Sequence, residues 1–108
     1  MTLLQQIHEQ RQQAREHARQ EALVRLHDAL RQLLPGEHVL VFGSVTRPGR
    51  FRMRSDIDIG LLAEPRHFSL FRLQAELEER MRRRVDVLLL SECRFRSKIE
   101  REGEVWIN

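Results

Sequence analysis

The stretch VFGSVTRPGRFRMRSDIDIGLL, residues 41–62, decides how the rest of this sequence is interpreted. Within it, the apolar pattern of a strand is interrupted by Asp56 and Asp58. Side chains alternate along a strand, so both aspartates are expected on one face, with Gly60 leaving room beside them. Two carboxylates on one face suit a hard cation such as Mg²⁺, which also takes phosphate oxygens. The alternative is a solvated strand face.

A third aspartate, Asp86, lies in the otherwise apolar run VDVLLL at 85–90. A carboxylate in a buried strand is costly unless it is paired or bound to a metal. One of the arginines at 82–84 could neutralise it as a structural ion pair. If the two strands are neighbours, it instead joins the first two aspartates, and three carboxylates on one face repel each other without a divalent ion. This favours a metal site.

The dipeptide Gly43-Ser44 follows the first apolar strand. A strand that turns into a helix at this point exposes backbone N–H groups to an anion such as phosphate. Gly43 allows close approach of the backbone, and the Ser44 hydroxyl is able to donate to a phosphate oxygen. Together with three carboxylates, the turn indicates metal-assisted phosphoryl or nucleotidyl transfer.

The remaining pattern predicts an α/β (α+β) fold, a small mixed sheet packed with helices. A long helix is expected over residues 2–33, which contain no Gly or Pro, and the PGEH segment at 35–38 ends it. Strands are expected at 38–42, 55–64 and 84–90, and helices at 67–81 and 91–103, the last with Ser91 as its N-cap and Gly103 at its end. A short helix is expected after the Gly-Ser turn.

Length predicts one domain over residues 1–108, with an N-terminal helix at 1–34 and a catalytic core at 38–108. A helix of this length spans roughly 48 Å, so its N-terminal end should overhang the core unless it breaks near residue 15. Residues 3–18 are then free to dock on a partner chain.

Composition narrows the class of protein. The chain is 41% hydrophobic and 32% charged, as in soluble globular proteins, and no apolar run reaches the length of a membrane span. The absence of a signal-peptide pattern and the single cysteine predict the cytoplasm. The net charge of +3 and the few aromatic residues make nucleic acid an unlikely direct ligand.

The combination of these motifs resembles a known family. Gly43-Ser44, Arg47, the Ser55-Asp56-Ile57-Asp58 segment and Asp86 look like the G-S-x-x-R…S-D-x-D…D pattern of minimal nucleotidyltransferases, in the DNA polymerase beta-like superfamily. The resemblance extends from about residue 20 to the closing IEREGEVWI segment. One departure is Pro48 after Arg47, where the family often has glycine.

The resemblance implies the nucleotidyltransferase fold and a Mg²⁺-dependent enzyme that transfers a nucleotide monophosphate, AMP from ATP, to a hydroxyl of a partner protein. It implies catalytic and metal-binding roles for Asp56, Asp58 and Asp86, of which Asp86 also helps to deprotonate the acceptor. Nucleotide-binding roles fall on the four residues Gly43, Ser44, Arg47 and Ser55.

A partner is implied as well, because minimal nucleotidyltransferases are similar to antitoxins paired with HEPN-domain ribonuclease toxins. Some of these antitoxins transfer AMP to a toxin tyrosine, and this chain has no tyrosine of its own. The alternative is a non-catalytic binding module that neutralises its partner by forming a complex. Either function is compatible with a homo- or hetero-oligomer.

Overall fold

The computed structural model describes all 108 residues as three α-helices and a four-stranded sheet. Two short 3-10 turns, Ser44–Thr46 and Leu90–Glu92, follow the first and third strands. This is the expected α+β arrangement with a long N-terminal helix. In chain order the elements are α1 (Leu3–Leu33), β1 (His38–Phe42), β2 (Ile57–Leu61), α2 (Leu70–Met81), β3 (Val85–Leu89), α3 (Arg96–Glu102) and β4 (Glu104–Ile107).

The sheet is mixed, with strand order β3-β2-β1-β4. β1 is antiparallel to both β2 and β4, whereas β2 and β3 are parallel and are joined through α2. The register places Asp58 opposite Asp86 in the parallel pair and opposite Phe42 in the antiparallel pair. The two aspartate-bearing strands are therefore neighbours.

The main core lies on the face of the sheet that α1 and α2 cover. Alternate residues of β2 and β3 point into it, as the period of two in a strand requires. The helices contribute leucines that are completely buried. These core residues include Ile57, Ile59, Val85, Val87, Leu26, Leu30, Leu73 and Leu77.

The opposite face of the sheet is covered only in part, by α3 and the 3-10 turn after β3. There Leu40, Leu90 and Ile99 form a second, smaller cluster. Asp58 and Asp86 project from this face, because their strand neighbours Ile57, Ile59 and Val85 point into the main core. The incomplete cover leaves the aspartates accessible.

Helix α1 is continuous over 31 residues and begins with a capping box between Thr2 and Gln5. All of its buried residues lie in the second half, from Ala22 to Leu30. The molecule is accordingly 54 Å long and only 28 by 21 Å across. The N-terminal half of α1 overhangs the core, and the break considered near residue 15 does not occur. No helix, α1 included, combines the length and the apolar character needed to cross a membrane.

The predicted start of the last helix is wrong. Helix α3 begins at Arg96, not at Ser91, because the chain leaves β3 through a 3-10 turn and its helical N-cap is Phe95. Gly103 ends the helix as predicted, donating its N–H to the carbonyl of Ile99 at 2.8 Å. The strand β4 after it was not predicted at all.

Several predicted bounds were also too generous. β2 is confined to 57–61 and β3 to 85–89, against the predicted 55–64 and 84–90. Helix α2 begins after Ser69, whose hydroxyl accepts a hydrogen bond from the backbone N–H of Arg72. This cap fixes the start of the helix three residues later than the predicted residue 67.

β4 is held by its pairing with β1 and by one aromatic contact with α1. Trp106 is buried on the α1 side, and its ring stacks on that of His27 with centroids 3.6 Å apart. Burial lowers the pKa of His27, so the stacked imidazole is favoured in its neutral form. The contact ties the end of the chain to the long helix.

The contrast between the two halves of α1 predicts a contrast in stability. Leu26→Ala should lower the free energy of unfolding by about 2–5 kcal/mol, because it removes a fully buried side chain and leaves a cavity. Leu4→Ala, at a side chain that is 78% exposed, should change it by less than about 0.5 kcal/mol. Urea unfolding of both variants checks this. Equal losses would mean that the overhanging half is packed against the protein in solution.

Candidate functional site

Three carboxylates lie at one end of the β2–β3 pair. Asp58 and Asp86 are direct neighbours across the parallel pairing, and Asp56 immediately precedes β2. The guanidinium Nε of Arg84 lies 3.3 Å from Asp86 Oδ1 and 3.9 Å from Asp56 Oδ2. Of the arginines at 82–84, Arg84 is thus the one that pairs with Asp86.

Asp58 is the most perturbed of the three. Burial raises the pKa of its carboxyl, and repulsion from Asp86 and Asp56 raises this pKa further, while Arg84 opposes the shift. No cation contacts the Asp58 carboxylate within 4 Å, so its charge is compensated only at a distance. The site therefore holds a half-buried negative charge that a bound cation would stabilise.

Gly43 lies directly against this carboxylate. Its backbone has φ +80° and ψ −160°, a conformation that is open essentially only to glycine. A Cβ added here would collide with Oδ2 of Asp58. Glycine is required at this position for both reasons, and the Gly-Ser turn and the carboxylates form a single site.

The short helix predicted after Gly43-Ser44 is a single 3-10 turn. Gly43 is followed by one 3-10 turn, closed by a hydrogen bond from the Thr46 N–H to the Gly43 carbonyl at 3.2 Å, and not by a full helix. Helix α1 supports the turn from behind, because Arg19 donates to the carbonyl of Val45 at 2.9 Å. Any phosphate-binding capacity of this turn comes from local N–H groups and not from a helix dipole.

A cleft of about 640 Å³ opens between this turn and α3. Four of the predicted nucleotide-site and metal-site residues line it, and Asp56, Asp86 and Ser55 do not. Arg47 is held by Glu102 of α3, at 3.3 Å between Nη2 and Oε2. The cleft is lined by Phe42, Gly43, Ser44, Arg47, Arg50, Asp58, Leu88, Cys93, Phe95, Lys98, Ile99 and Glu102.

Ser55 has a structural contact in place of a position in the cleft. Its hydroxyl accepts a hydrogen bond from the backbone N–H of Arg52 at 2.8 Å. Arg83 holds the same segment, donating to the carbonyl of Ser55 at 2.9 Å and lying 4.2 Å above the ring of Phe51. These contacts fix the loop that leads into Asp56.

Gly60 does not leave room beside the aspartates, contrary to the expectation from the sequence. A Cβ at this position would meet Leu90 Cδ2 at 2.8 Å, so Leu90 already fills the space. Gly60 is buried because the 3-10 turn after β3 folds back over the sheet. The open approach to the carboxylates is from the Gly43 side.

The α3 side of the cleft was not recognised from the sequence. Phe95, Lys98, Ile99 and Glu102 follow the i, i+3, i+4, i+7 spacing that places residues on one face of a helix. Lys98 is also the single lysine among 19 basic residues. The spacing was visible in the sequence, but which element this face would meet was not.

The donor set fits a divalent cation. Three aspartates offer hard oxygen ligands of the kind that Mg²⁺ prefers, and the raised pKa of Asp58 reflects repulsion that a cation would relieve. In the present arrangement the side chains do not form a ready-made group of three metal ligands. Arg84 instead lies between Asp56 and Asp86.

A carboxylate that lies against a Gly-Ser turn in a cleft, with two further carboxylates beside it, is the arrangement of an enzyme that acts on phosphate-containing substrates. A family model described as polymerase beta, nucleotidyltransferase matches residues 25–108. The chain belongs to this family and is a nucleotidyltransferase. The family generally uses divalent metal ions.

A solved structure described as a toxin-antitoxin with AMP-PNP has a similar fold. It is 21% identical, with a TM-score of 0.59, over 78% of this chain and 72% of that chain. At this identity the likeness is evidence of the fold alone. Among curated proteins, none matches this chain.

The close approach of Gly43 to Asp58 predicts a difference between two glycines. Gly43→Ala should lower the free energy of unfolding by about 1–3 kcal/mol, through backbone strain and displacement of the Asp58 carboxylate. Gly49→Ala is the matched control, since Gly49 also has a positive φ, +81°, but faces open space. Urea unfolding should show the smaller loss for Gly49→Ala. Equal losses would mean that strain alone, and not contact with Asp58, sets the requirement.

The raised pKa of Asp58 predicts that its charge costs stability. Because the folded state binds this proton more tightly than the unfolded state, the protonated carboxyl contributes stability below its unfolded pKa of about 3.9. That contribution is lost as pH rises through the folded pKa. Asp58→Asn should therefore raise the melting temperature by a few degrees at neutral pH in EDTA, since about 1 kcal/mol corresponds to about 4–8 °C in a small domain.

The same variant should lose its advantage in acid, where Asp58 is protonated in both states. Thermal unfolding at several pH values checks this, with Asp28→Asn, at an exposed position on α1, as the control. A less stable Asp58→Asn variant at neutral pH in EDTA would contradict the electrostatic account. Added Mg²⁺ should narrow the difference, since it stabilises only the carboxylate form.

Proposed function

We propose that this chain is a Mg²⁺-dependent nucleotidyltransferase that moves AMP from ATP to a hydroxyl of a partner protein. The proposal depends above all on one observation, the contact between the Gly43 backbone and the Asp58 carboxylate, with Asp86 in register beside it. A phosphate chain held at the Gly-Ser turn would lie next to a cation held by these carboxylates. The nucleotide phosphates and the metal-binding carboxylates would thus lie at one edge of the sheet.

Each residue then has a definite task. The backbone at Gly43 and the Ser44 hydroxyl hold the nucleotide phosphates, and Arg47, kept in place by Glu102, contributes positive charge at the same end of the cleft. Asp56, Asp58 and Asp86 hold Mg²⁺, which supplies neutralisation of the triphosphate charge when bound. Ser55 serves by fixing the turn before Asp56.

In the transfer step, Asp86 is the proton acceptor. The acceptor oxygen forms a bond to the α-phosphorus. The bond between the α-phosphorus and the oxygen that bridges to the β-phosphate breaks, and pyrophosphate leaves. The acceptor proton passes to the Asp86 carboxylate, whose side chain is 35% exposed and so open to an incoming hydroxyl. The ion pair between Arg84 and Asp86 can break for this step without the loss of a buried contact, because the Arg84 side chain is 70% exposed.

The acceptor is proposed to lie on another chain. The toxin-antitoxin structure with AMP-PNP that shares this fold supports a protein partner and an adenine nucleotide. The resemblance of the motifs to minimal nucleotidyltransferases extends the proposal to a HEPN-domain ribonuclease toxin and a tyrosine acceptor. The exposed N-terminal half of α1 offers this partner a long docking surface.

A second candidate function is neutralisation of a partner by binding alone. The overhang of α1 favours it, because a helix that has no buried residue before Ala22 gains from a partner surface. The complete set of three aspartates around a constrained glycine favours the enzyme, since a binding module has no use for the electrostatic cost at Asp58. One experiment separates the two functions.

Incubation of the protein encoded beside this one with this chain and Mg-ATP should add the mass of one AMP to that protein. Intact-mass spectrometry measures the addition, which should fall at least 100-fold in rate with Asp58→Ala or Asp56→Ala, on the scale reported for loss of key electrostatic groups. Asp28→Ala, at an exposed aspartate of α1 remote from the cleft, should behave as the wild type.

Complex formation without any mass gain would support the binding function. In the same series, calorimetry should detect Mg-ATP binding by the wild type and its loss in the Asp56→Ala, Asp58→Ala double variant. Unchanged affinity and unchanged metal dependence in that double variant would show that Asp56 and Asp58 are not metal ligands.

A further inference from the structure

The cleft has two chemically different ends. The charged end contains the Gly43-Ser44 turn and Arg47, to which the proposed function assigns the phosphates. The other end lies at the start of α3, where Phe95 is seven residues and so about 10 Å from Glu102. The lining also includes the partly buried apolar side chains of Phe42 and Leu88, at the edge of the small core cluster. A nucleotide has the same division, with a charged phosphate chain and a flat, largely apolar base.

Phe95 is the exposed side chain at the apolar end. It is the residue before α3, it lines the cleft, and 64% of its surface is open to solvent. An exposed aromatic ring that lines a cleft offers a flat apolar surface to a ligand. Bases stack favourably on such rings, whatever their hydrogen-bonding pattern.

The polar groups around the apolar end are few. Ser44 is the one hydroxyl among the lining side chains, no side-chain amide is present, and Glu102 is already paired with Arg47. Lys98 and Arg50 are cations, and we take them to face the phosphate chain. Side chains that discriminate adenine from guanine by hydrogen bonding are therefore missing from this cleft.

We infer that Phe95, in the cleft that Phe42 and Leu88 also line, is the base subsite, and that it selects purine over pyrimidine nucleotides by stacking area. The inference rests on the proposed function, because it takes the phosphates to lie at Gly43. ATP and GTP bind with similar affinity, and UTP and CTP bind more weakly. Phe95 is thus a specificity-determining residue that contacts the base and not the reacting phosphorus.

The test measures binding in the presence of Mg²⁺ by calorimetry, with ATP, GTP, UTP and inorganic tripolyphosphate as probes. For the wild type, the affinities for ATP and GTP should agree within about threefold, and UTP should bind at least about fivefold more weakly. Phe95→Ala should weaken ATP binding by about 5- to 100-fold and leave tripolyphosphate unchanged. Phe95→Trp, which keeps a stacking ring, should restore ATP binding.

Phe71→Ala is the matched control, since Phe71 is also exposed, at 81%, but lies on α2 away from the cleft. It should leave all four affinities unchanged. Circular dichroism should show that both alanine variants remain folded, as expected for exposed positions.

Several outcomes would overturn the inference. These are unchanged ATP affinity in Phe95→Ala, equal losses for ATP and tripolyphosphate, and a wild type that binds UTP as tightly as ATP. If the wild type binds tripolyphosphate and ATP equally well, the base subsite is wrong but the phosphate site stands. If it binds neither, the proposed function fails and the base subsite fails with it.

Discussion

The parallel pairing of β2 with β3, in the register that sets Asp58 beside Asp86, is the constraint on which the site depends. Neighbouring strands in a sheet are about 4.8 Å apart, so the two carboxylates have no way to separate while the ladder is intact. The main core fixes this register, because a shift by one residue would turn Ile57 and Ile59 out of the core. Hydrophobic burial on one face thus enforces charge repulsion on the other.

The neighbouring residues accommodate this repulsion in different ways. Gly43 has no side chain, which leaves space for the Asp58 carboxylate. Its backbone has a conformation that few other residues adopt. Arg84 places a positive charge against Asp56 and Asp86. Both residues are adjacent to elements of the sheet, so the electrostatic solution is local and does not require the long helix.

Much of the fold could be predicted from the sequence where a pattern is repeated several times. The alternation around Asp58 and Asp86 predicted the two strands, and the long polar helix predicted the overhang. That the two strands are neighbours was only a condition at that point, and the structure supplies it. β4 was missed because a segment of four residues is too short to show a clear alternation of polar and apolar side chains. Its pairing with β1 is supported by long-range contacts such as the stacking of Trp106 on His27. The start of α3 was misplaced because Ser91 looks like a cap, whereas tertiary packing turns the chain there.

The site was predictable in its chemistry but not in its shape. Motif residues identify carboxylates and a Gly-Ser turn, whereas the α3 wall with Phe95 and Lys98 depends on how a seven-residue helix lies on the sheet. The position of Gly60 shows the same limit, since only the fold reveals that Leu90 fills the space beside it. Local sequence specifies reactive groups, and long-range packing specifies what surrounds them.

The arrangement of charge also indicates which carboxylate matters most for a bound cation. Arg84 pairs with Asp56 and Asp86 but leaves Asp58 without a close positive partner, and the pKa of Asp58 is the one that burial and repulsion raise. A cation that binds here therefore gains most from Asp58, which is also the carboxylate that contacts the Gly43 turn. Asp58, the carboxylate whose charge the fold disfavours most, is thus the one that the proposed function places between metal, phosphate and sheet.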